Sequence, residues 1–241
     1  MSANAGPFGI PPLPPEGLAR FLKPRPPQAR PGELCEMCLE RIPPHGSFGH
    51  GHVVNLEGRQ VMCTCRPCQL LFEPKGASRG KFRAVPDRHR YNPAMALTEG
   101  QWDALQVPVR MAFFFFNSIE DRVVAFYPSP AGATESLLPL DTWDEVMDAN
   151  PAFKDLAPDV EAMLIYRARG EEAFEGFLVP ITFCYELVGR VKMRWKGFDG
   201  GQEAWSEINA FFQDLRDRSE KVSGQGEDAA AEGSAGGRGS M

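Results

Sequence analysis

Cysteine spacing is the feature that most constrains how this chain can fold. Five of its six cysteines lie in one short segment, as Cys35-x-x-Cys38 and, 24 residues later, Cys63-x-Cys65-x-x-Cys68. A Cys-x-x-Cys turn brings two thiolates onto one ion, and two such turns joined by a hairpin complete a tetrahedral shell. We therefore predict a small zinc-ribbon or rubredoxin-like module that binds metal through Cys35, Cys38, Cys65 and Cys68.

The ligand set and the metal stay open at this point. In an extended segment Cys63 shares a face with Cys65, so it either replaces Cys65 or lies beside the site as a further thiol. His50 and His52 are alternates in a mixed site, although hydrogen-bonded rings in a turn or strand also explain them. Four thiolates suit Zn, and they also suit Fe or an iron-sulfur cluster. With so few apolar residues, residues 33–74 are expected to fold only with metal.

Composition divides the chain into four parts. Nine of the 22 prolines fall in residues 1–32, and residues 219–241 contain six glycines and no aromatic residue, so neither end can bury enough apolar surface to fold alone. We predict a proline-rich disordered arm at 1–32, a cysteine-rich metal-binding module at 33–92, an α+β domain at 93–218 and a disordered tail at 219–241. The overall composition, 43% hydrophobic and 24% charged, is typical of globular proteins.

Apolar patterning predicts an α+β fold, in which a mixed α/β layer domain with C-terminal helices follows the metal module. Strands are predicted at residues 52–56, 60–62, 107–117, 122–127, 160–166 and 177–179. Helices are predicted to begin at Asp141 and at a capping Thr182, and a third covers residues 202–217. The four consecutive phenylalanines at 113–116 imply a strand that is buried on both faces.

The two halves of the chain carry opposite charge. Residues 1–92 hold 13 Lys or Arg against 7 Asp or Glu, whereas residues 93–241 hold 13 against 25. The cysteines are followed by a basic segment, whose charged members are Lys75, Arg79, Lys81, Arg83, Arg88 and Arg90. Pairing with the acidic half of the chain explains this charge most simply, and a protein-binding surface is the alternative. Nucleic acid is not the expected partner, because the net charge is −6 and few aromatic residues interleave the basic ones.

A segment rich in small and hydroxyl residues follows the strand at 122–127. Its candidate functional residues are Tyr127, Ser129, Gly132, Thr134, Glu135 and Ser136. We interpret it as a loop of unknown role, which could bind an anion or a partner. It contains no Walker motif and no nucleophile elbow, and the chain has no histidine beyond His89 for a catalytic triad. Asp159 and Glu161 are interpreted as a strand start beside solvent, so no catalytic residue is predicted.

Targeting signals are absent from the sequence. The longest apolar stretches are too short to cross a bilayer, and the N-terminus lacks the basic start and apolar core of a signal peptide. We therefore expect a cytoplasmic protein without a membrane span. In a reducing compartment clustered cysteines indicate metal rather than disulfides, and the isolated Cys184 is interpreted as a small buried hydrophobe.

Further motifs in a fixed order resemble an uncharacterised bacterial family, whose members are encoded beside genes for high-affinity, oxygen-tolerant nickel-iron hydrogenases. After the two cysteine motifs, the resemblance rests on FRAVPDR (82–88), WDALQVP (102–108), AFYPSPAGATES (125–136), DVEA (159–162) and CYELVG (184–189). It covers nearly all of residues 33–217. The resemblance implies a process but no mechanism, and nothing in the sequence itself indicates nickel or hydrogen.

Together these observations predict a metal-binding accessory protein and not an enzyme. The main hypothesis is a structural-zinc adaptor or maturation factor, whose protein partner is a hydrogenase subunit or another maturation factor. The alternative is a rubredoxin-like or iron-sulfur electron-transfer protein of the same system. A third hypothesis is an enzyme that uses residues 127–136. Colour discriminates between the first two, because four-thiolate zinc is colourless and ferric thiolate sites absorb visible light.

Overall fold

The computed structural model describes residues 33–44, 47–74, 76–136, 140–197 and 200–222. The predicted arm, most of the predicted tail and Lys75 lie outside these ranges. The described residues form two β-sheets and five α-helices, so the chain has a mixed α/β fold. No helix within the described ranges is long and apolar enough to cross a membrane.

The elements alternate along the chain. The strands are β1 (His50–Asn55), β2 (Gln60–Cys65), β3 (Phe82–Ala84), β4 (Arg90–Asn92), β5 (Met111–Asn117), β6 (Arg122–Ser129), β7 (Gly132–Ser136), β8 (Glu161–Tyr166), β9 (Glu175–Pro180) and β10 (Glu220–Lys221). The α-helices are α1 (Arg66–Leu70), α2 (Glu99–Ala104), α3 (Leu140–Ala149), α4 (Ile181–Arg194) and α5 (Gly201–Arg218). Short 3-10 helices cover Ala77–Gly80 and Pro151–Phe153.

The smaller sheet carries the predicted cysteine hairpin. Its strand order is β2-β1-β3, and both pairings are antiparallel. The side chain of Asn55 accepts a hydrogen bond from the Gly58 amide at 3.0 Å, which holds the chain reversal between β1 and β2. In the register of this hairpin His52 lies opposite Cys63. The hairpin therefore carries its histidines and its cysteines on adjacent strands.

The larger sheet forms the centre of the molecule. Its order is β10-β4-β9-β8-β5-β6-β7, and every pairing except β10 with β4 is antiparallel. Phe113 and Phe177 belong to the core beneath α4 and α5, whereas their neighbours Phe114 and Leu178 belong to the core against α2 and α3. Helices thus cover both faces, and the predicted burial on both faces holds for Phe113 and Phe114, which are fully buried.

The hairpin packs on the same core as the larger sheet. Val54 from β1, Leu56 just after β1 and Val85 after β3 belong to the core cluster that contains Phe113 and the buried faces of α4 and α5. Shortly afterwards β4 pairs with β9 in the large sheet. The metal-binding hairpin is therefore anchored on the main sheet by buried apolar contacts, and the predicted boundary at residue 92 stays a prediction.

The structure corrects two local expectations. Thr182 does not cap α4, because the helix begins one residue earlier, after Pro180, whose fixed φ of −52° and ψ of 140° suit a residue that precedes a helix. Residues 127–136 are not a loop but the end of β6 and the whole of β7, joined by a turn at 130–131. Small residues are common in turns, which made this hairpin resemble a loop in the sequence.

Helix α2 shows a signal that sequence reasoning overlooked. The Thr98 hydroxyl accepts a hydrogen bond from the Gln101 amide at 3.2 Å, and the Gln101 side chain accepts one from the Thr98 amide at 3.0 Å. This reciprocal capping box is visible in the sequence as Thr-x-x-Gln. It positions Trp102, which is buried against the outer face of the large sheet.

Candidate metal centre

Four cysteines from two parts of the chain converge at the open end of the hairpin. Cys35 and Cys38 lie in a turn before β1, Cys65 ends β2, and Cys68 lies in the first turn of α1. Their Sγ atoms all lie within 4.8 Å of one another, and those of Cys38 and Cys65 are 3.7 Å apart. A tetrahedral zinc ion with Zn–S bonds of about 2.3 Å separates its sulfurs by about 3.8 Å. The cluster can therefore hold a metal ion.

The first cysteine pair is held by a tight chain reversal. The Leu39 amide donates to the Cys35 carbonyl at 2.8 Å, and the Cys35 amide donates to the Glu40 carbonyl at 2.8 Å. Leu39 adopts a left-handed conformation with φ of 64°, a region that favours glycine. A bridge between Leu34 and Arg41 closes the turn. We name residues 33–42 the knuckle.

The expected zinc ribbon requires a second knuckle, but the second cysteine pair does not form one. Cys65 precedes α1, and Cys68 is a residue of that helix. Pro67 lies in the first helical turn, where its missing N–H costs nothing and its fixed φ is already helical, so the Arg-Pro sequence favours a helix. The zinc-ribbon prediction is therefore not confirmed, whereas the prediction that these four cysteines come together agrees with their positions.

A glycine allows α1 to dock on β1. An added Cβ at Gly51 would lie 2.3 Å from the Gln69 side-chain oxygen. The buried Gln69 side chain donates to the Val85 carbonyl at 2.6 Å and accepts from Arg66 at 2.8 Å. Any side chain at this position would require Gln69 to move, so the glycine of the His-Gly-His sequence favours this placement of α1, and with it of Cys68, on the hairpin.

Electrostatics at the cluster differ from one sulfur to the next. Burial raises the pKa of Cys35, but hydrogen bonds from the backbone N–H groups of Cys65, Cys38 and Met37 outweigh it and lower that pKa to about 6. Burial raises the pKa of Cys65, and burial together with contacts from neighbouring thiols raises that of Cys68. Cys35 therefore carries negative charge more readily than Cys65 and Cys68, and metal binding requires release of protons from those two thiols.

The three alternate ligands form a group of their own. One ligand atom from each of His50, His52 and Cys63 lies within 4.8 Å of the others, and this group shares no member with the four-cysteine cluster. Cys184 is fully buried in the core beneath α4, as predicted for a small hydrophobe. The sequence alone could not separate Cys63 from Cys65, because both project from the same face of β2.

The basic segment is largely paired within the chain. Arg88 donates to both carboxylate oxygens of Glu161, at 2.5 and 2.7 Å, and the Glu161 side chain is fully buried. Asp155 accepts from Arg88 and from Arg90, each at 2.7 Å. The hydrogen bonds between Arg88 and Glu161 raise the pKa of Arg88 above its usual range. These contacts support the interpretation that the basic segment is neutralised by the acidic half.

The neighbouring basic residues follow the same pattern. Arg83 pairs with Asp159 at 2.8 Å, and Lys81 pairs with Glu57 at 2.8 Å. Asp159, like Glu161, is buried, so the expectation of a strand start beside solvent is wrong for both carboxylates. In the described part of the chain Arg79 has no ion-pair partner and is exposed. The role of the basic residues in partner binding stays a prediction.

These ion pairs join two of the motifs that carry the family resemblance. Residues 82–88 supply Arg83 and Arg88, and residues 159–162 supply Asp159 and Glu161. The two motifs are more than seventy residues apart in sequence and meet where the small sheet rests on the large one. Both motifs thus have a structural explanation.

The hydroxyl groups of Ser129, Thr134 and Ser136 bond within their own hairpin or lie close to the carbonyls that follow α2. Ser129 Oγ donates to the Gly132 carbonyl and accepts from Thr134 Oγ1, both at 3.0 Å. Ser136 Oγ lies 3.3 Å from the carbonyl oxygens of Leu105 and Gln106. These contacts account for the hydroxyl residues as stabilisers of the turn and of the strand edge. Among the described residues, no histidine contacts them that could activate a nucleophile.

Comparison with known proteins gives one match. No curated protein and no solved structure matches the chain. A family model described as "Family of unknown function (DUF5947)" matches residues 34–219, which include the four clustered cysteines, strands β1 to β9 and all five helices. The chain therefore belongs to this family of unknown function.

Proposed function

We propose that this protein is a metal-binding accessory protein, in which the four-cysteine cluster holds structural zinc and the surrounding module acts as an adaptor for another protein. The convergence of Cys35, Cys38, Cys65 and Cys68 within 4.8 Å is the observation that carries the proposal. Four protein thiolates fill a tetrahedral shell and leave no position for a substrate. Zinc at this site would therefore hold the knuckle against the hairpin and α1 without catalysing a reaction.

The surface around the cluster supports an adaptor role. Eight large apolar side chains are exposed in the described residues. Five of them lie within residues 33–74, close in sequence to the four cysteines: Leu34, Leu39, Phe48, Leu70 and Leu71. Leu39 is 73% exposed directly after Cys38, and Leu71 is 66% exposed three residues after Cys68. Contiguous patches of exposed apolar side chains mark protein contact sites, and we infer that these side chains belong to such a patch. We propose that the partner contacts these residues.

The partner's identity rests on the family resemblance. The resemblance implies a hydrogenase subunit or a maturation factor, and we propose a partner of this kind. The basic residues contribute less to this contact in our proposal, because Arg83, Arg88 and Arg90 bind carboxylates of their own chain.

Metal analysis of the full chain, purified without added metal, tests the first part. We expect colourless protein with tightly bound zinc that survives dialysis. Cys38→Ser and Cys68→Ser should each lose this zinc, and Cys184→Ser, a buried cysteine remote from the cluster, is the matched control that should retain it. Retention of tight zinc in Cys38→Ser and Cys68→Ser would contradict the assignment.

Co-purification tests the adaptor role. Leu39→Asp and Leu71→Asp should abolish recovery of a hydrogenase subunit or maturation factor, as identified by mass spectrometry. Met193→Asp is the control, because Met193 is also apolar and 76% exposed but lies in α4. If Leu39→Asp and Leu71→Asp recover the partner as well as Met193→Asp and the unaltered chain do, the apolar side chains around the cluster are not the contact.

A second candidate function is electron transfer by iron at the same cysteines. Exposure of Cys38 and partial exposure of Cys65 favour it, since an ion at these sulfurs would lie close to the surface, where single electrons exchange with a partner. This candidate predicts visible absorption that bleaches on reduction. Stoichiometric iron with such a spectrum would replace the zinc proposal.

A further inference from the structure

A second set of metal-ligating side chains lies on the same hairpin, beside the four-cysteine cluster. His50 and His52 project from one face of β1, because residues two apart on a strand share a face. Cys63 is the direct cross-strand partner of His52. The two imidazole rings have centroids 4.8 Å apart, and one ligand atom from each of the three side chains lies within 4.8 Å of the others. The β-hairpin itself thus brings this group together.

One ligand is oriented by a hydrogen bond of the type found behind metal-bound histidines. His50 Nδ1 lies 2.8 Å from the Pro43 carbonyl oxygen, and the side chain of His50 is fully buried. Because a carbonyl oxygen only accepts, Nδ1 carries the proton and Nε2 carries the lone pair that a metal can use. Metal-bound histidines commonly donate their second ring N–H to a carbonyl or carboxylate in this way.

A cleft borders the other two ligands. His52 and Cys63 line a cleft of about 600 Å³, and its opposite wall is the start of α4, where Thr182, Tyr185 and Glu186 lie. A small ligand or water can therefore approach the group from the cleft. Three protein ligands with one open side are the arrangement of metal sites that bind a further ligand, in contrast to a closed four-thiolate site.

Charges around the group favour a cation. The Glu33 carboxylate lies 3.6 Å from His50 Nδ1, and the Glu36 carboxylate accepts a hydrogen bond from the Cys63 amide at 2.7 Å. The charged residues of the cleft are paired elsewhere, Glu186 with Arg190 at 2.7 Å and Arg59 with Glu120 at 2.6 Å. Glu33 and Glu36 therefore set the charge at the group.

We propose that His50, His52 and Cys63 form a second metal site, which binds a borderline divalent ion such as Zn²⁺ and keeps one coordination position open toward the cleft. Two imidazoles and one thiolate suit zinc or copper and do not suit magnesium or calcium. A tetrahedral zinc shell separates nitrogen and sulfur ligands by about 3.3–3.8 Å, so small side-chain rotations complete the site. With one ligand fewer than the four-cysteine cluster, it releases its ion more readily.

The site accounts for residues that the four-cysteine cluster leaves over. Cys63 is neither a substitute for Cys65 nor an idle thiol, but the ligand that β2 offers to the histidines of β1. The proposal does not depend on the adaptor function, because the two groups share no ligand.

Zinc titration of the full chain tests the proposal. Protein stripped with a strong chelator is titrated with zinc against a chromophoric competitor, and two equivalents should bind, one tightly and one more weakly. His52→Ala and Cys63→Ser should each weaken the second equivalent more than about 100-fold, since even changes behind a ligand cost 10–100-fold, and should leave the first intact. His89→Gln and Cys184→Ser are the matched controls that should retain both.

Histidine NMR gives a readout that does not depend on variants. The second equivalent of zinc should shift the imidazole signals of His50 and His52 and leave those of His89 unchanged. Binding of one equivalent to the unaltered chain would overturn the second site, as would two equivalents in both His52→Ala and Cys63→Ser. Loss of the tight equivalent in Cys38→Ser with retention of the weaker one would support two independent sites, and would bear on the adaptor proposal separately.

Discussion

Metal removal should unfold the knuckle and leave the β1–β2 hairpin in place. The knuckle, residues 33–42, contributes to one small apolar cluster, formed by Cys35, Ile42 and Cys68. Burial of Ile42 contributes about 2 kcal/mol. Ordering residues 33–42 costs about 1 kcal/mol each, on the order of 10 kcal/mol in total. Structural zinc contributes about 10–16 kcal/mol in small domains, which is enough to offset the remaining deficit of about 8 kcal/mol.

The β1–β2 hairpin has a different source of stability. Val54 and Leu56 are buried in the core shared with α4 and the large sheet, so their burial does not depend on metal. The sequence alone led us to expect that all of residues 33–74 fold only with metal. The buried contacts of the hairpin indicate that this part of the segment stays folded without it. We expect the dependence to be confined to the knuckle and to the docking of α1.

Hydrogen exchange measured by mass spectrometry on zinc-loaded and chelator-treated protein checks this prediction. The amides of Leu39 and Ile42, which bond to the carbonyls of Cys35 and Glu33, should exchange at the rate of an unfolded chain without metal. The amides of Val53 and Val54 are internal controls and should stay protected. Protection of the knuckle amides in protein demonstrated to be free of metal would refute the reasoning.

Three further predictions concern Arg88, His89 and Gly51. Arg88→Ala should cost about 3–5 kcal/mol in the free energy of unfolding, because it leaves the buried Glu161 carboxylate without its partner, and Arg88→Met with Glu161→Leu should recover most of it; denaturant titration measures both, and a loss below about 1 kcal/mol would contradict the assignment. Burial lowers the pKa of His89, so the unfolded state takes up a proton more readily below about pH 6.5 and stability should fall there as the pH drops; His89→Phe should flatten this profile, and an unchanged slope would argue against it. Gly51→Ala should cost about 1–3 kcal/mol, because its Cβ would meet the buried Gln69 side chain, and unchanged thermal stability would mean that α1 can shift without penalty.

The sequence by itself determined the local structure and the presence of a metal-ligating cluster. Two-residue spacings between cysteines require a tight turn or a helix start, and either one brings two sulfurs together. The strands with Phe113 and Phe114 and the amphipathic helix that became α5 were predictable because their apolar periodicity is a property of a few consecutive residues. The capping box at Thr98 was equally local and was simply overlooked.

Only the tertiary structure decided which cysteines share a cluster and where the charged residues lie. The side chains of Cys63 and Cys65 project from the same face of β2. The docking of the knuckle and of α1 then places them in two different groups of ligands. The sequence predicted that the basic segment pairs with the acidic half, but only the structure shows that Arg88 meets the buried Glu161 across 73 positions. Periodicity reports which face of an element is apolar, but not which distant element covers it. Which distant element covers an apolar face depends on the packing of the whole chain. No single local pattern determines it.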